Sequence, residues 1–235
     1  MNLLNEITDM KNILIIGAHG KIGQLLSTKL STSSNYKPTA FIREESQKSD
    51  FNGDNINFVV GNLEESVDDL KKKFDGYDAV VFAAGSGGST GPDKTLAIDL
   101  DGAVRSMEAA KMSGIKRYII VSAAGSDDRA FWDKADMKPY YVAKHYADEM
   151  LRQTNLNYTI LRPVMLTDND GTGKVKASET MEGLNKEISR EDVADAIVHL
   201  LDRDDTYGKV IEMSEGEHSM EDAISAAVNS QLEPA

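Results

Sequence analysis

The chain has 235 residues, with 26 basic and 39 acidic side chains and a formal net charge of −13. One large α/β domain of this length buries enough surface to fold without staples, and the absence of cysteine rules out a disulfide framework, a thiol nucleophile and a cysteine zinc site. The acidic balance argues against nucleic acid as a partner, because phosphate binding calls for a basic surface.

No apolar run approaches the roughly 20 residues of a membrane span, so no membrane partner is expected. The first residues include Glu6 and Asp9 and no early basic cluster, so no signal peptide is expected either. A cysteine-free chain of this kind suits the reducing cytoplasm.

The run from Asn12 to Ile16 reads as a strand buried on both faces. It leads into a glycine-rich loop, and Ile22, Leu25, Leu26 and Leu30 then follow helical spacing. Thr39–Ile42 and Ile56–Val60 read as the second and third strands, followed by a short helix over Val67–Phe74 whose Lys71, Lys72 and Lys73 mark its C-terminal end. Asp78–Phe82 is the fourth strand, Lys94–Met112 one long helix closed by Gly114, and Arg117–Val121 the fifth strand.

In the second half, Tyr140–Arg152 reads as helical and Tyr158–Leu161 as a strand stopped by Pro163. Ser189 to Asp192 has capping-box spacing ahead of a helix, Val210–Met213 is the last strand, and Met220–Val228 the last helix. Strands alternating with helices predict a parallel sheet covered on both faces, in a single domain over 1–235. The segments near 85–93, 123–137 and 164–188 read as irregular. Each follows a strand, which predicts substrate loops at the carboxyl edge of the sheet.

Gly17, Gly20 and Gly23 lie between a predicted strand and a predicted helix. Such glycines permit a sharp turn, close approach of a pyrophosphate and tight helix–strand packing, while the helix start offers free N–H groups. The loop, with His19, Lys21 and Ile22, is therefore a candidate dinucleotide site; the alternative is a tight structural turn. About 20 residues further on, an acid would bind the ribose of NAD. Arg43 stands there, and its planar donors suit the 2′-phosphate of NADP, with His19 and Lys21 adding positive charge nearby. NADP(H) is thus preferred and NAD(H) possible. The competing reading is a solvated Arg43 paired with Glu44 or Glu45.

Together these residues resemble the short-chain dehydrogenase/reductase superfamily, in its atypical branch of small NAD(P)-binding proteins. Gly61, Asn62 and Leu63 resemble the adenine-contacting segment of that superfamily, with Asn for its usual Asp. Ala83, Ala84 and Gly85 resemble the segment lining the cofactor, and Val121–Ala123 the strand end carrying a catalytic serine, here Ser122. Tyr140 and Lys144 match the Tyr-x-x-x-Lys signature, and Pro163 stands where the family packs a proline near the nicotinamide. The resemblance implies a Rossmann-type domain of about seven parallel strands in order 3-2-1-4-5-6-7. It departs at Asp99, where related proteins often carry an Asn that supports a proton relay.

Tyr140 and Lys144, four apart on a helix, share a face. In the implied mechanism Ser122 orients a carbonyl oxygen, Tyr140 moves the proton, and Lys144 favours the phenolate and bonds the nicotinamide ribose. His19, His145, His199 and His218 are scattered without metal spacing, so no metal is expected. Phe131 and Trp132 are expected either to stack on a flat substrate or to anchor their loop.

The leading expectation is an NADP(H)-dependent oxidoreductase acting on a small carbonyl, quinone or flavin-like molecule. A redox sensor that binds cofactor without turnover is the alternative. A sugar-nucleotide epimerase or dehydratase fits less well, because little chain remains after Pro163 for a sugar-nucleotide region. The oligomeric state stays open.

Overall fold

Strand β1 (Lys11–Ile16) explains the two-sided architecture. Ile13 and Ile15 face one core with Leu26 and Leu30 of α1 (Lys21–Ser31) and Ile197 of α7 (Arg190–Leu200). Leu14 and Ile16 face the opposite core with Leu70 and Phe74 of α2 (Val67–Phe74), Met107 of α4 (Ala103–Met112) and Leu151 of α6 (Lys138–Arg152). Successive side chains point to opposite faces, so a strand covered on both sides must be apolar throughout. The computed structural model describes residues 10–230 except 89. Glu6 and Asp9, on which the leader argument rests, and Ser89 of the 85–93 loop lie outside the described residues.

Seven strands run parallel in the predicted order: β3 (Asn57–Val60), β2 (Tyr36–Ile42), β1, β4 (Ala79–Phe82), β5 (Arg117–Val121), β6 (Asn157–Pro163) and β10 (Lys209–Glu215). The fold is Rossmann-like. Two strands extend it to nine: β8 (Lys174–Ser178) pairs antiparallel with β10, and β11 (His218–Ser219) antiparallel with β8. A separate parallel pair joins β7 (Met165–Thr167) to β9 (Glu187–Ser189). Segment 164–188 is therefore not irregular as expected. Its strands are short and charged, with Val175 buried between exposed Lys174 and Lys176, so they carry no apolar run to mark them.

Two helical features also depart from expectation. Within 123–137, α5 (Arg129–Lys134) is capped by the Asp128 carboxylate, which accepts from the Ala130 and Phe131 N–H groups; six residues are too few to show a period. The single helix expected over Lys94–Met112 starts instead with one turn, α3 (Pro92–Lys94), and continues as a π-helical stretch, Thr95–Gly102, before α4. Thr95, Ile98 and Gly102 are weak α-formers, and wide turns of this type concentrate at functional sites. The last helix, α8 (Met220–Ser230), covers the same face as α1 and α7.

The chain leaves β1 toward β2 and β3 and returns through β4 toward β5 and β6. That reversal opens a crevice at the carboxyl edge beside β1. Gly17 takes φ +78°, and a Cβ there would lie 2.5 Å from Ala84 Cα. At Gly23 a Cβ would lie 2.4 Å from the Gly17 carbonyl oxygen, whereas at Gly20 it would meet only that oxygen, at 3.2 Å. Gly23→Ala should therefore cost about 1–3 kcal/mol of stability by overpacking, and Gly20→Ala at most about 1 kcal/mol. Urea unfolding of the two variants checks the order.

Candidate functional site

Two cavities occupy the carboxyl edge. The first, about 440 Å³, is lined by Gly17, His19, Gly20, Arg43, Asn62 and Leu63 among others. The second, about 590 Å³, is lined by Ile22, Asp99, Val121, Ser122, Tyr140 and Lys144 among others. Ala83, Ala84 and Gly85, after β4, line both. Thus the predicted glycine loop, the segments after β3 and β4, and the triad residues converge on one continuous edge, although they are drawn from five separate stretches of chain.

Arg43 is exposed at the wall of the first cavity. The Glu44 carboxylate accepts from the Gln47 N–H in a reciprocal cap of the 3₁₀ turn Glu45–Asp50, and Gln47 Oε1 accepts from the Arg43 N–H at 2.8 Å. Glu45 pairs with Lys48 at 2.5 Å. Both acids expected to neutralise Arg43 are thus engaged, and the exposed guanidinium has no ion-pair partner among the described residues. His19 of the same cavity has its Nε2 2.8 Å from Oδ2 of Asp50, which lines a neighbouring surface groove.

Two expected cofactor residues lie elsewhere. Lys21 turns away from the nucleotide cavity and pairs with Asp168, which also accepts from Arg190 at 2.6 Å in a separate surface groove. The acids of the 168–170 loop draw it there. Pro163 is buried at the end of β6, its carbonyl accepting from the Ala124 N–H at 3.0 Å, and Leu166 forms the cavity wall in its place.

Lys144 is 4% exposed. Its ammonium donates to the Val121 carbonyl at 3.3 Å and stands 3.3 Å from Asp99 Oδ1 and 5.7 Å from the centre of the Tyr140 ring. Asp99 Oδ2 accepts from the Ser86 N–H at 2.9 Å, while buried Oδ1 has ion-pair proximity without hydrogen-bond alignment. Burial pushes the Tyr140 phenol up, Lys144 pulls it down, and Asp99 and Asp148 push it up again, with a net rise. The expected acidification by lysine is outweighed, so the phenol keeps its proton. For Lys144, burial acts downward but Tyr140 and Asp99 act upward and prevail, which keeps the ammonium charged.

Ser122 differs from its implied role as well. It is 3% exposed and donates its hydroxyl hydrogen to Asp148 Oδ2 at 2.8 Å. Toward the cavity it offers an accepting oxygen rather than the donor a carbonyl would need. Asp148, fully buried, is held by Arg162 Nε at 3.0 Å and Nη2 at 2.8 Å. Arg162 also reaches Asp127 at 2.8 Å and Glu212 at 3.4 Å. Sequence reading missed this network; an acid on an otherwise buried face of α6 and an arginine inside an apolar strand were its only signals.

Trp132 is buried and donates to the Gly125 carbonyl at 3.0 Å, and Phe131 packs edge-on against Tyr141 with ring centres 5.3 Å apart. Of the two readings for these rings, the loop anchor is the one realised. Asp127, His145 and Glu149 place ligand-type atoms within 4.8 Å of one another. Arg152 bonds both carboxylates there, so the group is a compensated ion cluster.

This fold and site define an NAD(P)-binding protein with a Rossmann-like fold. Residues 17–204 match the family model described as NAD(P)H-binding, and the chain belongs to that family. It is 42% identical over 212 residues to an uncharacterized sugar epimerase of Bacillus subtilis, covering 90% of this chain and 98% of that one. A solved Bacillus halodurans structure, named for NAD-dependent epimerases and dehydratases, is 38% identical with TM-score 0.84 over 92% of this chain and 99% of that one. An oxidoreductase structure from Lactococcus lactis is 33% identical with TM-score 0.83, over 93% and 97%. No helix among the described residues is long and apolar enough to cross a membrane.

Arg162→Met should strand Asp148 in the core and cost about 3–5 kcal/mol, read as a lowered urea midpoint. Asp99→Asn removes one of the charges that disfavour the phenolate, so the Tyr140 pKa should fall relative to wild type. An NMR titration with ring-labelled tyrosine, assigned through Tyr140→Phe, checks the direction.

Proposed function

We propose that the protein is an NADP(H)-dependent oxidoreductase that moves hydride between the nicotinamide and a small carbonyl, quinone or flavin-like substrate. The observation that carries this reading is Tyr140 with the buried Lys144 ammonium 5.7 Å from its ring, in a cavity that shares Ala83–Ser86 with a glycine cradle whose wall holds an arginine without an ion-pair partner among the described residues. The residues fit the cofactor: Gly20 leaves room for a backbone approach, and Arg43 offers donors for a 2′-phosphate. The name of the Lactococcus lactis relative points to the same reaction class.

When bound, the nicotinamide supplies or accepts the hydride. Gly17, Gly20 and Gly23 shape the turn; Asn62 and Leu63 would line the adenosine side, and Lys144 would hold ribose hydroxyls. In reduction, Tyr140 gives its Oη proton to the substrate oxygen as negative charge develops there. Burial raises the phenol's pKa, so the proton stays on Oη until the substrate oxygen takes it. A second reading, an NADP(H) sensor without turnover, draws on the commitment of the Ser122 hydrogen to Asp148.

NADPH should bind more tightly than NADH, and Arg43→Ala should remove about 10–150-fold of that affinity, measured by calorimetry with both reduced cofactors. Tyr140→Phe should lower carbonyl reduction by about 10²–10⁴-fold with NADPH affinity retained. Equal binding of NADH and NADPH by the wild type would sink the NADP assignment. Tight NADPH binding without turnover of any carbonyl, quinone or flavin would favour the sensor.

A further inference from the structure

The charged groups of the second cavity bear on what can enter it. Among the described lining residues these are Asp99, Asp136 and Lys144. Lys144 stands 3.3 Å from Asp99, both side chains being almost wholly buried, so the pair adds no net charge. Asp136 is exposed at the cavity edge, has φ +52°, and has no ion-pair partner among the described residues. The lining therefore carries one net negative charge, in a chain at −13 overall. The remaining wall is apolar or hydroxylic, with Ile22, Met137, Pro139 and Leu166 beside Ser86 and Thr95.

Phosphate and carboxylate recognition rests on fixed cationic forks or on helix starts with free N–H groups. This cavity lacks the first. Two helix starts reach it, and both are blunted in the same way. The α6 start has Asp136 just ahead of it and Pro139, without an N–H, in its first turn. The α3 start has Pro92 at its first position and Asp93 next to it. By contrast, the first cavity carries Arg43, and a cofactor with its own phosphates would add further negative charge to the crevice. An anionic substrate would face this field with no compensating group.

We infer that the substrate is an uncharged carbonyl compound with an apolar body, carrying no phosphate, carboxylate or nucleotide. This rests on the oxidoreductase reading above and narrows it. It separates this protein from a nucleotide-sugar enzyme, which must hold a diphosphate, despite the epimerase names of the Bacillus relatives.

The test has two arms. NADPH binding, followed by cofactor fluorescence, is measured first on the full chain; its failure would remove the oxidoreductase reading and the inference with it. The NADPH-saturated protein is then given matched pairs that differ by one anionic group: methyl 4-formylbenzoate against 4-formylbenzoate, and riboflavin against riboflavin 5′-phosphate. UDP-glucose is added as a competitor. The neutral aldehyde should show kcat/KM at least about tenfold above its carboxylate, a preference of ~1.4 kcal/mol. That gap should shrink in about 1 M salt and in Asp136→Asn, an exchange that keeps the left-handed backbone accessible. UDP-glucose should not inhibit.

The inference is overturned if either anionic partner matches its neutral counterpart, or if UDP-glucose competes at micromolar concentration. If NADPH binds while no neutral member is reduced or bound, the oxidoreductase reading itself fails and the inference falls with it. The first two results leave both NADPH binding and turnover intact, so they overturn the inference alone.

Discussion

The buried pair between Lys144 and Asp99 is the contact on which the site depends. Taking an ammonium out of water costs several kcal/mol, and a partner carboxylate and carbonyl must return most of it. Here the partners come from three elements: Lys144 from α6, Asp99 from the π-helical stretch, and the Val121 carbonyl from the end of β5. Asp99 is in turn fixed by the Ser86 N–H after β4. One charge thereby ties the helix carrying Tyr140 to the strand ends that line the crevice. The widened turn at Thr95–Gly102 belongs to the same arrangement, because Asp99 must meet Lys144 and the Ser86 backbone together.

A second charge cluster lies behind this one and does different work. Arg162 faces Asp148, Asp127 and Glu212, and of these only Asp127 is substantially exposed. Burial pushes the Asp148 and Glu212 carboxyls up, against the downward pull of the arginine, and each has one oxygen without a hydrogen-bond donor. A cluster of this kind adds little net stability and fixes geometry strongly. What it fixes is Ser122, whose hydroxyl is tethered to Asp148. The serine is thus coupled to the scaffold more firmly than to the cavity it borders.

Most of the fold was legible because it rests on local signals. Apolar runs marked the seven parallel strands, and the serine cap predicted at Ser189 is present, accepting from the Asp192 N–H. What stayed hidden depends on distant partners. Strands β8 and β11 are short and charged, and they form because β10 offers an edge. The break in the helix after β4 combines weak helix formers with the contacts Asp99 makes to Lys144 and the Ser86 N–H, distant in sequence. Among the site residues, the glycine loop and the Tyr140–Lys144 spacing carried local information. Lys21 and Ser122 had their fates decided by Asp168 and Asp148, far away in sequence.

The electrostatics also bear on why an intact signature need not behave as spacing suggests. A lysine four residues from a tyrosine acidifies the phenol only to the extent that its charge is unshared. Asp99 takes part of that charge here, and Asp148 adds a second negative charge from behind. An amide in place of Asp99 would hold the same Ser86 N–H through its oxygen and leave the ammonium free to act on the phenol. Burial raises the Tyr140 phenol, and the Asp99 carboxylate offsets part of the lysine's downward pull on it, so the four-residue spacing alone does not fix how the pair ionises.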